Sequence, residues 1–595
     1  MIHPFECVLV GHGTLPLACA EVLLERGNRI RAVISSDPAL LRWAAVREIA
    51  HSADLHALAG LLAGLSPDFL FSIGNERLIP DPLLALCKSA INYHDGPLPL
   101  YAGSHVTSWA LIQREQTYAV TWHLMTHHTD AGDILRQTPV RISSDDSALT
   151  LNAKCYEAAL SGFALLADDL ANDRVQLHAQ DLSRRTFFHR NKRPVSGAVL
   201  DWSRDAEDLC ALVRALAFGS YANPLGFPKV LFGEEFLAVD TLDMLSVRSA
   251  HPPGTIAGIE PDSLVISTAS CDVGLRQVKT LAGQALSIGQ LVTRFHLQIG
   301  DVLPTLDPLT AARLDEATNS LSGHERFWLG RLTAARAIGL PYSTSAATCS
   351  SASADLKAVA PRHHTLALPP ELAAVVADRD DRPADLLLYV FLAYLARING
   401  QSAFSIGLRE ADLASELGEL SSLFATTVPL QVSLDLNGPF NLCADASRSE
   451  LSLLRSRRTY ALDTMARHPG LDISGRARGT PAWLIVAQIM DPHQDLTAIV
   501  RDGLTEKTAP SPHELVFRIA ADGLSCAWTD GAGALTPRQL EQMSGQYLTL
   551  LQSSLTMPGL PLRSLPLLSQ EERRNLRAVD EPVDASGAMS RPDGL

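Results

Sequence analysis

Over its first 175 residues the chain alternates short apolar runs with stretches of helical periodicity, and no other feature restricts the fold as tightly. Such alternation commits a chain to an α/β sheet. Residues 7–10 (CVLV), 30–35 (IRAVIS), 68–73 (DFLFSI), 90–94 and 119–125 (AVTWHLM) read as strands. Helices are expected over 14–26, 37–64, 80–88, 105–114 and 147–172. Together they make a doubly wound, mostly parallel sheet. Ligands of such sheets sit beyond the carboxyl ends of strands. Candidate site residues should therefore cluster just after residues 10, 73, 94 and 125.

A length of 595 residues implies three or four units. The net charge of −15 argues against nucleic acid as a partner, because phosphate neutralisation needs a basic surface. Nine scattered cysteines without a C-x-x-C pair read as reduced thiols, with neither a disulfide framework nor a metal site. No window approaches the eighteen or so apolar residues of a membrane span, and the N-terminus lacks a leader pattern. A cytoplasmic enzyme is the expectation, with no membrane partner.

Four regions and a linker follow from composition. Residues 1–185 form the α/β part. The basic stretch SRRTFFHRNKRPVSG (183–197) reads as a linker. A helix over 206–216 and short strands with Gly/Pro turns suggest a small β-rich barrel across 195–305. Region 318–570 is α+β, with helices near 321–334, 383–399, 446–459 and 536–555. Its strands fall at 403–407, 427–433, 481–490 and 523–528. Residues 571–595 read as a tail or linker.

The segment INYHDGPLPLYAG (91–103) carries the chemistry. Asn92 and His94 lie two apart at a strand end, so both project to one face. The Gly-Pro-x-Pro turn then leaves them at a rim. In HLMTHHTDAGDIL (123–135), Asp130 falls in a loop after the next strand. A carboxylate holds the tautomer of an imidazole, and an amide donates to an oxyanion. Such a set serves acyl transfer: an amine attacks a formyl carbon and a proton is delivered to the leaving nitrogen. The His127–His128 pair reads as a polar loop rather than a metal site. Gly11-His12-Gly13 lacks the third glycine of a dinucleotide fingerprint and reads as a tight strand-to-helix turn.

Taken in order, NYHDGPLPLYAG and TDAGDIL resemble the formyltransferase family, which includes methionyl-tRNA formyltransferase and the sugar and siderophore formyltransferases. The resemblance covers residues 5–175. It implies a 10-formyltetrahydrofolate cosubstrate. Asn92 and His94 would polarise the formyl group and manage protons, and Asp130 would orient His94. The folate would lie along Arg77, Leu78 and Ile79, the turn Gly96, Pro97, Leu98 and Pro99, and the loop Thr126, His127, His128 and Thr129. VSGAVLDWSRDAEDLCALVRAL (195–216) resembles the opening of the same family's C-terminal barrel, which helps to place the amine.

The third region resembles the C-terminal lobe of a nonribosomal peptide synthetase condensation domain, through GHERFWLGRLTAARAIGLPYSTS (323–345), FSIGLREADLASELGELSSLFATTVPLQVSLD (404–435) and CAWTDGAGALTPRQLEQMSGQYLTLLQ (526–552). LPLLSQEERRNL (565–576) resembles the linker into an adenylation domain. Two departures matter. The HHxxxDG motif is missing, HHTDAGD (127–133) having the wrong spacing. Ser422 and Thr426-Thr427 stand where the crossover usually reads Gly and Asn-Thr. The lobe is therefore expected to dock or scaffold rather than form peptide bonds. The expected acceptor is an amino acid, free or on an aminoacyl carrier protein of a synthetase module. A nucleotide sugar, initiator tRNA or a non-catalytic scaffold is the alternative.

Overall fold

The structure, a computed structural model, describes residues 3–339, 361–470, 483–494, 496, 514–531 and 533–574. Its contacts cluster into two units, Met1–Ser322 with Ala466–Gly470, and Gly323–Met465 with Leu471–Leu595.

The first unit opens with β1 (Glu6–Gly11), α1 (Thr14–Glu25), β2 (Arg29–Ile34), α2 (Pro38–Val46) and β3 (Ala50–Ser52). There follow α3 (Leu58–Leu61), β4 (Phe69–Ile73), α4 (Asp81–Leu84), β5 (Ser89–His94) and β6 (Ala102–Gly103). Then come α5 (Val106–Ile112), β7 (Thr117–Leu124), β8 (Ile134–Arg141) and α6 (Ala148–Ala171). Seven strands form one sheet in the order β3-β2-β1-β4-β5-β7-β8. Pairing is parallel from β3 to β5 and antiparallel for β5–β7 and β7–β8. The fold is thus mixed α/β with a parallel-rich sheet. Alternate residues of its strands serve two cores: Cys7, Leu9 and Phe71 enter the larger, Val8, Val10 and Leu70 the smaller. Near-continuous apolar strands such as CVLV are what a sheet covered on both faces requires.

Three sequence expectations change here. The helix over 37–64 is instead α2, β3, a 3₁₀ turn at Leu55–Ala57, and α3. Glu48 takes a left-handed φ of 57° that ends α2, and Ala50–Ser52 then pairs with β2. The polar run HSAD favours this outcome, because Ser and Asp side chains compete for backbone hydrogen bonds. The helix over 80–88 shrinks to α4. The third change matters most for the site. Because β7 runs antiparallel to β5, residue 125 lies beside the start of β5, where Met125 N–H donates to the Ala90 carbonyl. The end of β7 thus lies at the sheet edge opposite the carboxyl ends of the parallel strands.

Gly11 and Gly13 make the strand-to-helix turn expected of them. A Cβ on Gly11 would stand 1.9 Å from the Ile73 carbonyl oxygen, so β1 and β4 approach this closely only around glycine.

The stretch read as a linker is built structure. Its β9 (Phe187–Phe188) pairs in parallel with β6, and Phe188 is buried between the rings of Tyr101 and Trp109. Beyond it come α7 (Ala206–Ala215), β10 (Lys229–Phe232), β11 (Glu235–Met244), β12 (Ile256–Glu260), β13 (Ser263–Ile266), β14 (Val273–Thr280), β15 (Ala285–Leu286) and α8 (Ile288–Phe295). These strands form an antiparallel sheet ordered β10-β11-β14-β13-β12, with β15 added to β14. Among the described residues β10 and β12 end its strand path without pairing to each other, and Lys229 of β10 bridges to Val199 instead.

The second unit holds a six-stranded sheet of β16 (Arg362–Ala367), β17 (Ala403–Glu410), β18 (Thr427–Ser433), β19 (Ile485–Ile489), β20 (Leu515–Ile519) and β21 (Ser525–Asp530). Their order is β16-β21-β20-β19-β17-β18. Helices Glu325–Ala334, Pro383–Asn399, Phe440–Arg457 and Pro537–Thr556 accompany it. Most of the expected tail, from residue 575 onward, lies outside the described residues.

Candidate active site

Asn92 and His94 project from one face of β5, as their spacing requires. Register sets His123 of β7 opposite Asn92 and Thr121 opposite His94, so four polar side chains share that face. The rim expectation fails for His94. Its ring is only 4% exposed, because the chain folds back over it and Nε2 lies 2.7 Å from the Tyr101 carbonyl. Gly96 permits this approach: a Cβ there would stand 2.8 Å from both His94 Nε2 and the Tyr101 oxygen. The turn itself hangs on Thr121, whose hydroxyl donates to the Gly96 carbonyl (2.7 Å) and accepts from the Leu98 N–H (3.3 Å).

Asp130 reaches this face because the loop after β7 doubles back. The residue takes a φ of 55°, and the Gly103 N–H donates to its Oδ2 at 2.9 Å. Its carboxylate lies between two rings, with Oδ2 3.7 Å from His94 Nδ1 and Oδ1 3.6 Å from His123 Nε2. These are ion-pair distances rather than hydrogen bonds. Orientation of His94 thus comes first from the Tyr101 carbonyl, with Asp130 as an electrostatic partner. Burial pushes the Asp130 carboxyl up. His123, His94 and the Gly103 N–H outweigh that and hold it at about 2. Asn92 Nδ2 lies 3.2 Å from His123 Nε2, and His123 Nδ1 lies 2.8 Å from the Leu124 carbonyl.

The segment after α6 supports the loop. Gln180 Nε2 donates to the carbonyls of Asp130 (3.1 Å) and Gly132 (2.6 Å), and Arg185 donates to that of Thr129 (2.7 Å). Between loop and segment lies a cavity of about 460 Å³ lined by His128, Thr129, Ala131, Leu182, Arg185 and Phe187. It gathers two of the expected folate residues, while Arg77, Leu78, Ile79 and the turn Gly96, Pro97, Leu98 and Pro99 are not among its lining. Leu78, in the loop between β4 and α4, stands 83% exposed, and Ile79 is buried. Thr126, His127, His128 and Thr129 are exposed, and His127 Nδ1 lies 3.8 Å from Asp81. Among the described residues no group of three or more His, Cys, Asp or Glu side chains is placed to hold a metal ion.

Sequence reasoning missed Thr121, His123, Gln180 and Arg185. For the first two a signal existed. In AVTWHLM the polar residues Thr121 and His123 are two apart in an otherwise apolar strand, which marks one polar face. For Gln180 and Arg185 there was none, since only tertiary folding returns that segment to the loop.

With this geometry in place, comparison with known proteins is informative. Residues 32–165 match the family model described as formyl transferase, and residues 196–296 match that of the formyl transferase C-terminal domain. Among solved structures, the chain is similar to WlaRD, a sugar 3N-formyl transferase solved in the presence of dTDP and 5-N-formyl-THF. That match has 15% identity, covers 46% of this chain and 98% of that one, and has a TM-score of 0.38. An N-formyltransferase from Helicobacter canadensis, in complex with folinic acid and dTDP-3-aminofucose, is similar at 16% identity. It covers 46% of this chain and 99% of that one, at a TM-score of 0.38. HypX from Aquifex aeolicus, in complex with tetrahydrofolic acid, is similar at 14% identity over 51% of this chain and 50% of that one, at a TM-score of 0.36. The two matched stretches follow one another along the chain, a formyl transferase match first and a formyl transferase C-terminal match after it.

Proposed function

We propose that this chain transfers a formyl group from 10-formyltetrahydrofolate to the amine of an amino acid used by, or tethered to, a nonribosomal peptide synthetase. The observation that carries the reading is the convergence of Asn92, His94 and Asp130 inside a formyl transferase domain. The folate supplies the formyl carbon and leaves as tetrahydrofolate.

The residues present fit such a donor. Leu78 and the loop Thr126, His127, His128 and Thr129 are exposed, and the cavity against that loop lies within the range of small-ligand pockets. With one Asn92 amide hydrogen directed at His123 Nε2, the other is available to the oxygen on which negative charge develops. His94 Nδ1, with Nε2 tied to the Tyr101 carbonyl, takes a proton from the attacking amine as the new C–N bond forms. Asp130, held ionised at neutral pH, stabilises the resulting imidazolium until that proton passes to the leaving nitrogen.

The acceptor half rests on the resemblance of residues 323–576 to a condensation-domain lobe with its linker. A tetrahydrofolate-release assay on the full chain tests both halves. The acceptor panel would hold free amino acids, aminoacyl carrier proteins, hydroxylated ornithine, a nucleotide amino sugar and initiator tRNA. Release with amino acids or their carrier-bound forms is expected. Release only with the sugar or the tRNA would keep the donor and overturn the acceptor. No release with any amine would leave a scaffold.

A further inference from the structure

The Asp130 cage contains a second imidazole, His123, which is 2% exposed and has no part in the reaction as derived so far. Its surroundings fix its tautomer as firmly as those of His94 fix that ring's. A carbonyl oxygen only accepts, so a ring nitrogen within hydrogen-bond reach of one carries hydrogen. On His94 that nitrogen is Nε2, 2.7 Å from the Tyr101 carbonyl. On His123 it is Nδ1, 2.8 Å from the Leu124 carbonyl. In the neutral rings the remaining nitrogens, His94 Nδ1 and His123 Nε2, are therefore lone pairs, and both face Asp130, at 3.7 and 3.6 Å.

The donors within this cluster are few. The Gly103 N–H serves Asp130 Oδ2, and the Asn92 amide serves His123 Nε2. Among the described residues, Asp95 also stands near these rings, its Oδ1 4.0 Å from His94 Nδ1. A carboxylate and two lone pairs thus face one another with no hydrogen between them. One added proton turns that arrangement into an ion pair. A second would place two buried imidazolium ions around a single carboxylate, which like-charge repulsion opposes.

We infer that His94, Asp130 and His123 form one proton-holding unit that takes up a single shared proton, with His123 as its unassigned positioning member. Resting on the formyl-transfer reading, this gives the amine proton its place between attack and departure. It enters at His94 Nδ1 and leaves to the departing nitrogen, so no net proton is consumed. His123 acts through Asp130 and Asn92: it shares the added proton's charge around the carboxylate, and its Nε2 keeps the amide pointed along the face.

The test uses the full chain labelled with ¹⁵N-histidine, the two rings being assigned from His94→Asn and His123→Asn. At alkaline pH, His94 is expected as the Nε2–H tautomer and His123 as the Nδ1–H tautomer. On acidification the two rings should together gain one proton in a coupled titration. In His123→Gln, which keeps an acceptor for Asn92 but cannot bind a proton, His94 should take up its proton with no second ring coupled to it. Its kcat should fall roughly 10- to 100-fold with the donor KM little changed, less than loss of the base itself costs. Independent titration of both rings in the parent, or the opposite tautomer on either, would overturn the inference. The spectra need no turnover, so a failed transfer assay with coupled rings would sink the formyl-transfer reading and leave the proton unit standing.

Discussion

Asp130 is where burial and charge compete most visibly. Desolvation alone would raise its pKa, yet the two imidazoles and the Gly103 N–H bring it to about 2, below the ordinary 3.8. A carboxyl whose folded pKa is depressed contributes stability that is fully present above its unfolded pKa and is lost as pH falls through the folded value. The contribution is about 2 kcal/mol, and it should disappear between roughly pH 4 and 2. Thermal melts of the parent and Asp130→Asn across that window should converge at the acid end. A constant gap would contradict the assignment. His94→Ala should lower kcat by about 10²- to 10⁴-fold and Asn92→Ala by about 10²- to 10³-fold. Because His94 is buried rather than at a rim, its alanine variant should also melt lower, whereas half-buried Asn92→Ala should melt near the parent. Tetrahydrofolate release and a melt on the same samples separate the two effects.

At the scale of elements, the segment around β9 is what sets this site apart from a bare strand end. Phe188 stacks at 5.6 Å on Tyr101 and at 5.2 Å on Trp109, and Lys192 Nζ sits 4.8 Å above its ring. The hydroxyl of Thr186 accepts from the Tyr101 N–H at 2.7 Å, and the Tyr101 hydroxyl donates to Glu115 at 2.7 Å. Tyr101 is therefore clamped at its backbone, ring and hydroxyl, and its carbonyl in turn fixes His94. Phe188→Ala should cost about 3 kcal/mol or more, measured by denaturant unfolding, and should broaden the His94 ring resonances. Gly103 has a φ of 103° and a Cβ there would stand 2.2 Å from the Phe188 carbonyl, so Gly103→Ala should part β6 from β9. Faster proteolysis within residues 183–193 would report that opening; unchanged cleavage would argue against it.

At the scale of the whole molecule, the two units have separate cores. The larger buried cluster of the first runs from Phe5 to Leu303, and that of the second from Trp328 to Leu565. A chain ending at residue 322 should then unfold in one cooperative transition. On the proposed function it should formylate a free amine and lose its advantage with a carrier-bound one. Equal turnover of free and carrier-bound amines by the truncated and full chains would remove the docking role of the second unit.

Five strands of the first sheet, β1, β2, β4, β5 and β7, were readable from the sequence because apolar runs such as CVLV and DFLFSI are local signals of burial on both faces, whereas β3 and β8 were not. Asn92 and His94 were readable for the same reason, since a two-residue spacing on a strand fixes a shared face whatever else the chain does. Asp130 was identifiable from its motif, but not its relation to His94. That depended on β7 reversing direction and on a left-handed loop residue, and neither leaves a mark in local periodicity. His123 looked like one polar residue in an apolar strand until antiparallel register set it against Asn92. The stretch from 183 to 197 read as a linker because its basic composition resembles one. Its place in the site comes from pairing with β6, some eighty residues earlier in the chain. Local sequence decided which residues face the same way. Only the tertiary structure decided what each of them faces, because hydrogen bonds and burial between distant segments are set by the packing of the whole unit.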